Sequence, residues 1–141
     1  MTSITLSGDA RDRILQHASA TYPNECCGAL LGVADVAGTA LVIDMLPLPN
    51  TTEEGPRRRF LVRPSDYRAA EAHADATGAD LLGFYHSHPD HPARPSEYDL
   101  AHAWPNLSYV IVAVAGGRPA DLRSWRLYDD RSAFGEEPVR T

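Results

Sequence analysis

The sequence predicts a single α/β domain organised on one mixed β-sheet. Three observations carry this. Short apolar runs rich in Val, Ile and Leu recur at residues 29–33, 40–48, 81–85 and 110–114, each too short for a core helix and of a length suited to a strand. Two segments between them, at about 8–22 and 65–77, carry helical spacing or a dense alanine content. The chain has 141 residues, enough for one domain with one core.

Taken in order, Ile4, Thr5 and Leu6 form a short strand. Ser7 or Asp9 then caps a helix to about Tyr22, because Ala10, Ile14, Ala18 and Tyr22 recur on one face and Pro23 stops it. Residues 29–33 and 40–48 read as a hairpin around a turn containing Gly38, with Pro47 and Pro49 ending its second strand. Residues 50–59 are polar, contain Gly55-Pro56 and are expected to form a mobile loop. Phe60, Leu61 and Val62 suggest another short strand. Ser65 is expected to cap the second helix, which Gly78 stops. Residues 80–88 make a buried strand, and a short helix runs from about Ser96 to Ala103. Residues 107–115 are continuously apolar, as in a strand covered on both faces. Residues 116–119 form a turn, and residues 121–128 alternate as in a half-exposed edge strand. The core is thus expected over about residues 4–128, with a loosely ordered tail at about 129–141. The expected assembly is a mixed sheet flanked by two longer helices and one short helix.

Composition removes several function classes. The net charge is −6, and Arg57-Arg58-Arg59 is the sole basic cluster, so nucleic acid is not an expected partner. The two cysteines, Cys26 and Cys27, are adjacent and have no third thiol to bridge to, which favours a reducing, cytoplasmic setting over a disulfide framework. The N-terminus lacks a signal-peptide pattern, and the longest apolar run, from Tyr109 to Ala115, is too short to span a membrane.

The chemistry concentrates at residues 86–99. His86 and His88 end an apolar strand and, two apart, project to the same face. Asp99 lies one turn into the helix that Ser96 opens. Two imidazoles and a carboxylate form a three-ligand set for one zinc ion, with the fourth position left for water. Plainer readings stand beside this: Ser96-x-x-Asp99 is also a helix capping box, and a His-x-His pair is often surface decoration. Glu25, between the first helix and the strand that follows, reads either as a solvated turn residue or as a carboxylate held at a cavity edge.

His86-x-His88-Pro89, six further residues, then Ser96-x-x-Asp99 resembles the JAMM (MPN+) metalloprotease motif at every defined position. Residues 23–32 resemble the family's upstream glutamate segment, with Glu25 as the counterpart. The resemblance spans about residues 4–128 and implies the MPN fold. It also implies zinc on His86, His88 and Asp99, Glu25 as general base, and Ser96 as a hydrogen-bond donor to the oxyanion. The family cuts peptide or isopeptide bonds after the C-terminal glycines of ubiquitin-like proteins. This short chain looks like the compact prokaryotic members, some of which release an amino acid such as cysteine from a sulfur-carrier protein with a Gly-Gly tail. The alternatives are a non-catalytic MPN scaffold and a metal-binding module without turnover. His91 reads as a spare ligand, a substrate contact or a solvated loop histidine, and because the motif does not use it the solvated reading is favoured. Cys26 and Cys27 are soft zinc ligands in principle. Their side chains should diverge along a strand, however, so packing is expected for at least one. An inhibitory thiolate from the other is a further hypothesis.

Overall fold

The computed structural model describes residues 3–35, 39–50 and 62–140. Among these residues it has eight strands and three helices. The strands are β1 (Ser3–Leu6), β2 (Cys27–Ala34), β3 (Thr39–Leu48), β4 (Asp80–Pro89), β5 (Ser108–Ala115), β6 (Arg118–Leu127), β7 (Phe134–Glu137) and β8 (Val139–Arg140). The helices are α1 (Gly8–Thr21), α2 (Pro64–Thr77) and α3 (Glu97–His102). All eight strands form one sheet in the order β7-β6-β5-β4-β2-β3-β1-β8. The sheet is mixed as expected: β2 pairs antiparallel with β3 and β4, whereas β4 and β5 run parallel across the connection that holds α3.

The two longer helices cover opposite faces. Ser7 caps α1, its hydroxyl accepting from the Ala10 N–H at 3.1 Å. The stripe Ala10, Ile14 and Ala18 is fully buried against Ile4, Leu6, Leu30, Tyr85 and Val112. On the other face, Ala70 and Ala74 of α2 meet Leu31, Phe84 and Tyr109. Alanines let α2 approach the sheet closely. Gly78, in the left-handed region at φ 73, ends α2 where expected. The start of α2 differs from expectation. Pro64 takes the first turn, where its missing N–H costs nothing, so the N-cap falls on Arg63 and Ser65 lies inside the helix.

Three other expectations are corrected. Pro47 does not end β3 but lies within it. The β5–β6 turn is confined to Gly116 and Gly117, so β6 begins at Arg118 and has β5 and β7 on its two sides, and is not an edge. Within the tail expected to be loose, Phe134–Glu137 and Val139–Arg140 form strands: β7 pairs with β6, and β8 pairs in parallel with β1. Only Pro138 separates β7 from β8, so one continuous stretch joins the two ends of the sheet and wraps it around α1. The expected strand at Phe60 and Leu61 and most of the loop at 50–59 lie outside the described residues.

β4 is the central element for function. It is sandwiched between β2 and β5, and every residue from Leu82 to Pro89 is buried. Tyr85 lies across Gly28, where any Cβ would collide with its ring. This close approach brings the Tyr85 hydroxyl within 2.7 Å of His17 Nδ1 on α1.

Candidate metal centre

Register on β4 decides which side chains meet. Phe84 packs on the α2 face and Tyr85 on the α1 face, so alternation returns His86 and His88 to the α2 face and Ser87 to the α1 face. Cys27 of β2 sits opposite His86. Glu25, two residues earlier, therefore falls opposite His88 and on the same face. Ser87 keeps this register beyond the end of the ladder: its N–H donates to the Cys26 carbonyl at 3.2 Å, and its Oγ accepts from the Cys26 N–H at 2.9 Å. Asn50 supports the same turn, its Nδ2 donating to the Glu25 carbonyl at 3.1 Å.

The second arm is the start of α3. Ser96 is its N-cap, as expected, and the capping box is complete. The Asp99 N–H donates to Ser96 Oγ at 3.0 Å, and the Ser96 N–H donates to Asp99 Oδ2 at 2.8 Å. The cap therefore aims the carboxylate. Asp99 Oδ2 lies 3.3 Å from His86 Nε2 and 3.2 Å from His88 Nε2, and the two nitrogens are 3.1 Å apart. Ligands about 2.0–2.1 Å from a tetrahedral zinc ion stand about 3.3 Å from one another. The three donor atoms thus have the spacing of three corners of such a site. Glu25 stands next to them, with a carboxylate oxygen and the two imidazoles all within 4.8 Å of one another. All four residues are buried: His86 is 0% exposed, Glu25 3%, Asp99 7% and His88 8%.

The electrostatics follow from burial and contact. Burial opposes ionisation of Asp99, but the two imidazoles and the Ser96 N–H outweigh it and hold the carboxyl well below its usual range. Burial pushes His86 down, only partly offset by Asp99. At His88 burial acts in the same sense, yet the Asp99 contact and the Pro92 carbonyl, 2.8 Å from Nδ1, prevail and raise it. The Pro92 contact also orients the ring, a support that metal-binding histidines ordinarily have.

The remaining candidates fall elsewhere. His91 is exposed, in line with the solvated reading. Cys26 packs with the α1-side core and Cys27 with the α2-side core, so the two thiols diverge. Cys27 Sγ points to the Leu48 and Pro49 carbonyls, each at 3.6 Å. Sequence reasoning missed Ser87, Asn50 and the Pro92 carbonyl. Ser87 had a visible signal in its place between two histidines on a buried strand. A carbonyl leaves no signal in sequence.

A mixed sheet that carries two buried histidines and two buried carboxylates at one strand end defines a class: a compact α/β domain with a site fit for a metal ion and hydrolytic chemistry. The chain belongs to the family described as prokaryotic homologs of the JAB domain, whose pattern matches residues 7–128. It is 36% identical over 123 residues to a desampylase of Haloferax volcanii, covering 82% of this chain and 86% of that protein. It is 30% identical over 137 residues to a CysO-cysteine peptidase of Mycobacterium tuberculosis, covering 96% and 89% respectively. A protein from Salinibacter ruber, solved in solution, superposes with a TM-score of 0.76 at 44% identity, covering 97% of this chain and 91% of that one. The chain therefore has the JAB/MPN fold that the motif implied, in a family whose relatives include named peptidases.

Proposed function

We propose that this chain is a zinc metallopeptidase that hydrolyses the peptide or isopeptide bond after the C-terminal Gly-Gly of a ubiquitin-like or sulfur-carrier protein, releasing an amino acid such as cysteine. The observation that carries the reading is the spacing of His86 Nε2, His88 Nε2 and Asp99 Oδ2, at 3.1–3.3 Å, with Glu25 buried beside them. Those three residues would hold one zinc ion. A zinc ion held there would supply Lewis acidity, lowering the pKa of a water toward neutrality and polarising a carbonyl.

The chain's own groups supply the rest. Glu25 accepts the proton of the attacking water as the new C–O bond forms, then gives it to the leaving nitrogen as the C–N bond breaks. It suits this role as a buried carboxylate with an oxygen within 4.8 Å of both imidazoles, near enough that the same geometry also makes it a possible third ligand. Ser96 donates its O–H to the oxyanion. The helix cap uses an acceptor lone pair of Ser96 Oγ, so the cap and the donor role do not compete. The named activities of the relatives support a conjugate or carrier protein as substrate, and two buried free thiols support a reducing, cytoplasmic setting. Among the described residues no helix is long and apolar enough to cross a membrane.

The test is a carrier protein extended by one residue beyond its Gly-Gly, incubated with wild type and Glu25→Gln. Release of that residue by wild type, with the variant slower by at least about 100-fold, is expected. Full activity in the Glu25 variant would contradict the assignment, and no release from any glycine-tailed carrier would leave the scaffold reading.

A further inference from the structure

The motif leaves the residues between Pro89 and Ser96 undefined, and Asp90 is the first of them. Pro89 and Asp90 make the turn that ends β4. The His91 N–H donates to the His88 carbonyl at 3.4 Å, and Asp90 stands in the left-handed region at φ 58. After a proline, glycine or asparagine is the usual residue at that place in a turn. The turn itself therefore has no need of a carboxylate.

That carboxylate is nonetheless engaged on both oxygens. Oδ1 accepts from the Gly116 N–H at 2.9 Å, and the Asp90 N–H donates to the Val114 carbonyl at 2.6 Å, which ties the turn to the end of β5. Oδ2 accepts from the Tyr22 hydroxyl at 2.7 Å. Tyr22 is the C-cap of α1, and its side chain packs against the α1-side core. It stands three residues before Glu25, and Asp90 stands two residues after His88. One hydrogen bond thus joins the segment that leads into Glu25 to the turn that follows His88. On the far side of Glu25 the chain is held by Ser87, through both backbone groups of Cys26. On the near side the Asn24 N–H donates to the Thr21 carbonyl at 3.0 Å, a bond within its own turn, and the tie to β4 comes through Tyr22.

We propose that Asp90 is a positioning residue for Glu25. Through Tyr22 it pins the exit of α1 to the His88 turn, and so sets how the Glu25 carboxylate approaches the imidazoles. This rests on the reading of Glu25 as the group that transfers the proton.

Tyr22→Phe removes the hydroxyl and keeps the packed ring. Asp90→Gly removes both carboxylate contacts and keeps a residue suited to the turn. Asp90→Asn can still accept from the Gly116 N–H and can donate to the Tyr22 oxygen. Ser19→Ala is the control: Ser19 Oγ donates to the Gly117 carbonyl at 2.7 Å, tying α1 to the β5–β6 turn without Asp90. On a glycine-tailed carrier, Tyr22→Phe and Asp90→Gly should each lower kcat about 10-fold with little change in KM. The double variant should be no worse than Asp90→Gly, because both remove one contact. Asp90→Asn should restore most of the activity, and Ser19→Ala should keep the wild-type kcat even where it lowers Tm. In metal-free protein, amide exchange at Asn24 and Cys26, which flank Glu25, should quicken about 10-fold in Tyr22→Phe and Asp90→Gly but not in Ser19→Ala. Wild-type kcat and wild-type exchange in a folded Tyr22→Phe variant would overturn the proposal. A Ser19→Ala variant as slow as Asp90→Gly would overturn it too, since general loosening of α1 would then explain the loss. If wild type cleaves no glycine-tailed carrier, the peptidase reading fails, while the exchange comparison still decides whether Asp90 holds the Glu25 segment.

Discussion

At the residue scale, Ser96 holds two roles that substitution can separate. Its hydroxyl caps α3 and, in the proposed chemistry, stabilises the oxyanion. Glycine is nearly as good an N-cap as serine, whereas alanine costs about 1 kcal/mol. Ser96→Ala should therefore lower both stability and kcat, and Ser96→Gly should lower kcat by about 100-fold with little change in Tm. Zinc affinity should survive in both, because Asp99 Oδ2 is held by the Ser96 backbone N–H, not its side chain. Equal kcat in wild type and Ser96→Gly would remove Ser96 from the chemistry. The thiols make a second residue-scale case. Burial pushes Cys26 to about 11 and Cys27 to about 12. Since the thiolate is the reactive form, neither should react with a thiol reagent near neutral pH until the protein unfolds. The sign for stability follows. Above the ordinary thiol range the unfolded chain loses these protons first, so stability should fall as pH rises from about 9 toward 11. Rapid labelling of the native protein would contradict the burial.

At the element scale, the site is made where three breaks in regular structure meet: the entry to β2, the end of β4 and the N-terminus of α3. Much of this was legible in sequence. His86 and His88 end an apolar run, and Ser96-x-x-Asp99 is a local cap whose geometry follows from helix chemistry alone. Glu25 was legible only through the family motif, because what turns it inward is the pairing of Cys27 with His86, a contact between strands far apart in sequence. Ser87 and Asn50 escaped for the same reason, each acting on a backbone group of a distant segment. Ser65 misled because a serine near a helix start is a good cap in isolation, whereas Pro64 set the first turn two residues earlier, with Arg63 as the cap.

At the scale of the whole molecule, the notable element is the one the sequence hid. β7 and β8 are short and include Gly135, two glutamates and a proline at the joint, with no strand-like alternation. Their conformation is imposed by β6 and β1, not by local preference. Glu137 shows the cost and its remedy: it is buried, and its Oε1 accepts from the buried Ser124 hydroxyl at 2.7 Å. Removing residues 134–140 would leave β6 and β1 as open edges and strip Val139 from the α1-side core. The truncated protein should lose at least about 5 °C in Tm and aggregate more readily. An unchanged melting curve would mean that the closure carries no stability.

Zinc content and affinity, measured for wild type, Asp99→Asn and Glu25→Gln purified and reconstituted side by side, decide which residues hold the metal. Near one zinc per chain is expected in wild type and in Glu25→Gln, with zinc lost or greatly weakened in Asp99→Asn. Retention of zinc by Asp99→Asn together with its loss from Glu25→Gln would make Glu25 the third ligand and overturn the proposed division of roles. No zinc in any of the three would remove the metallopeptidase reading altogether.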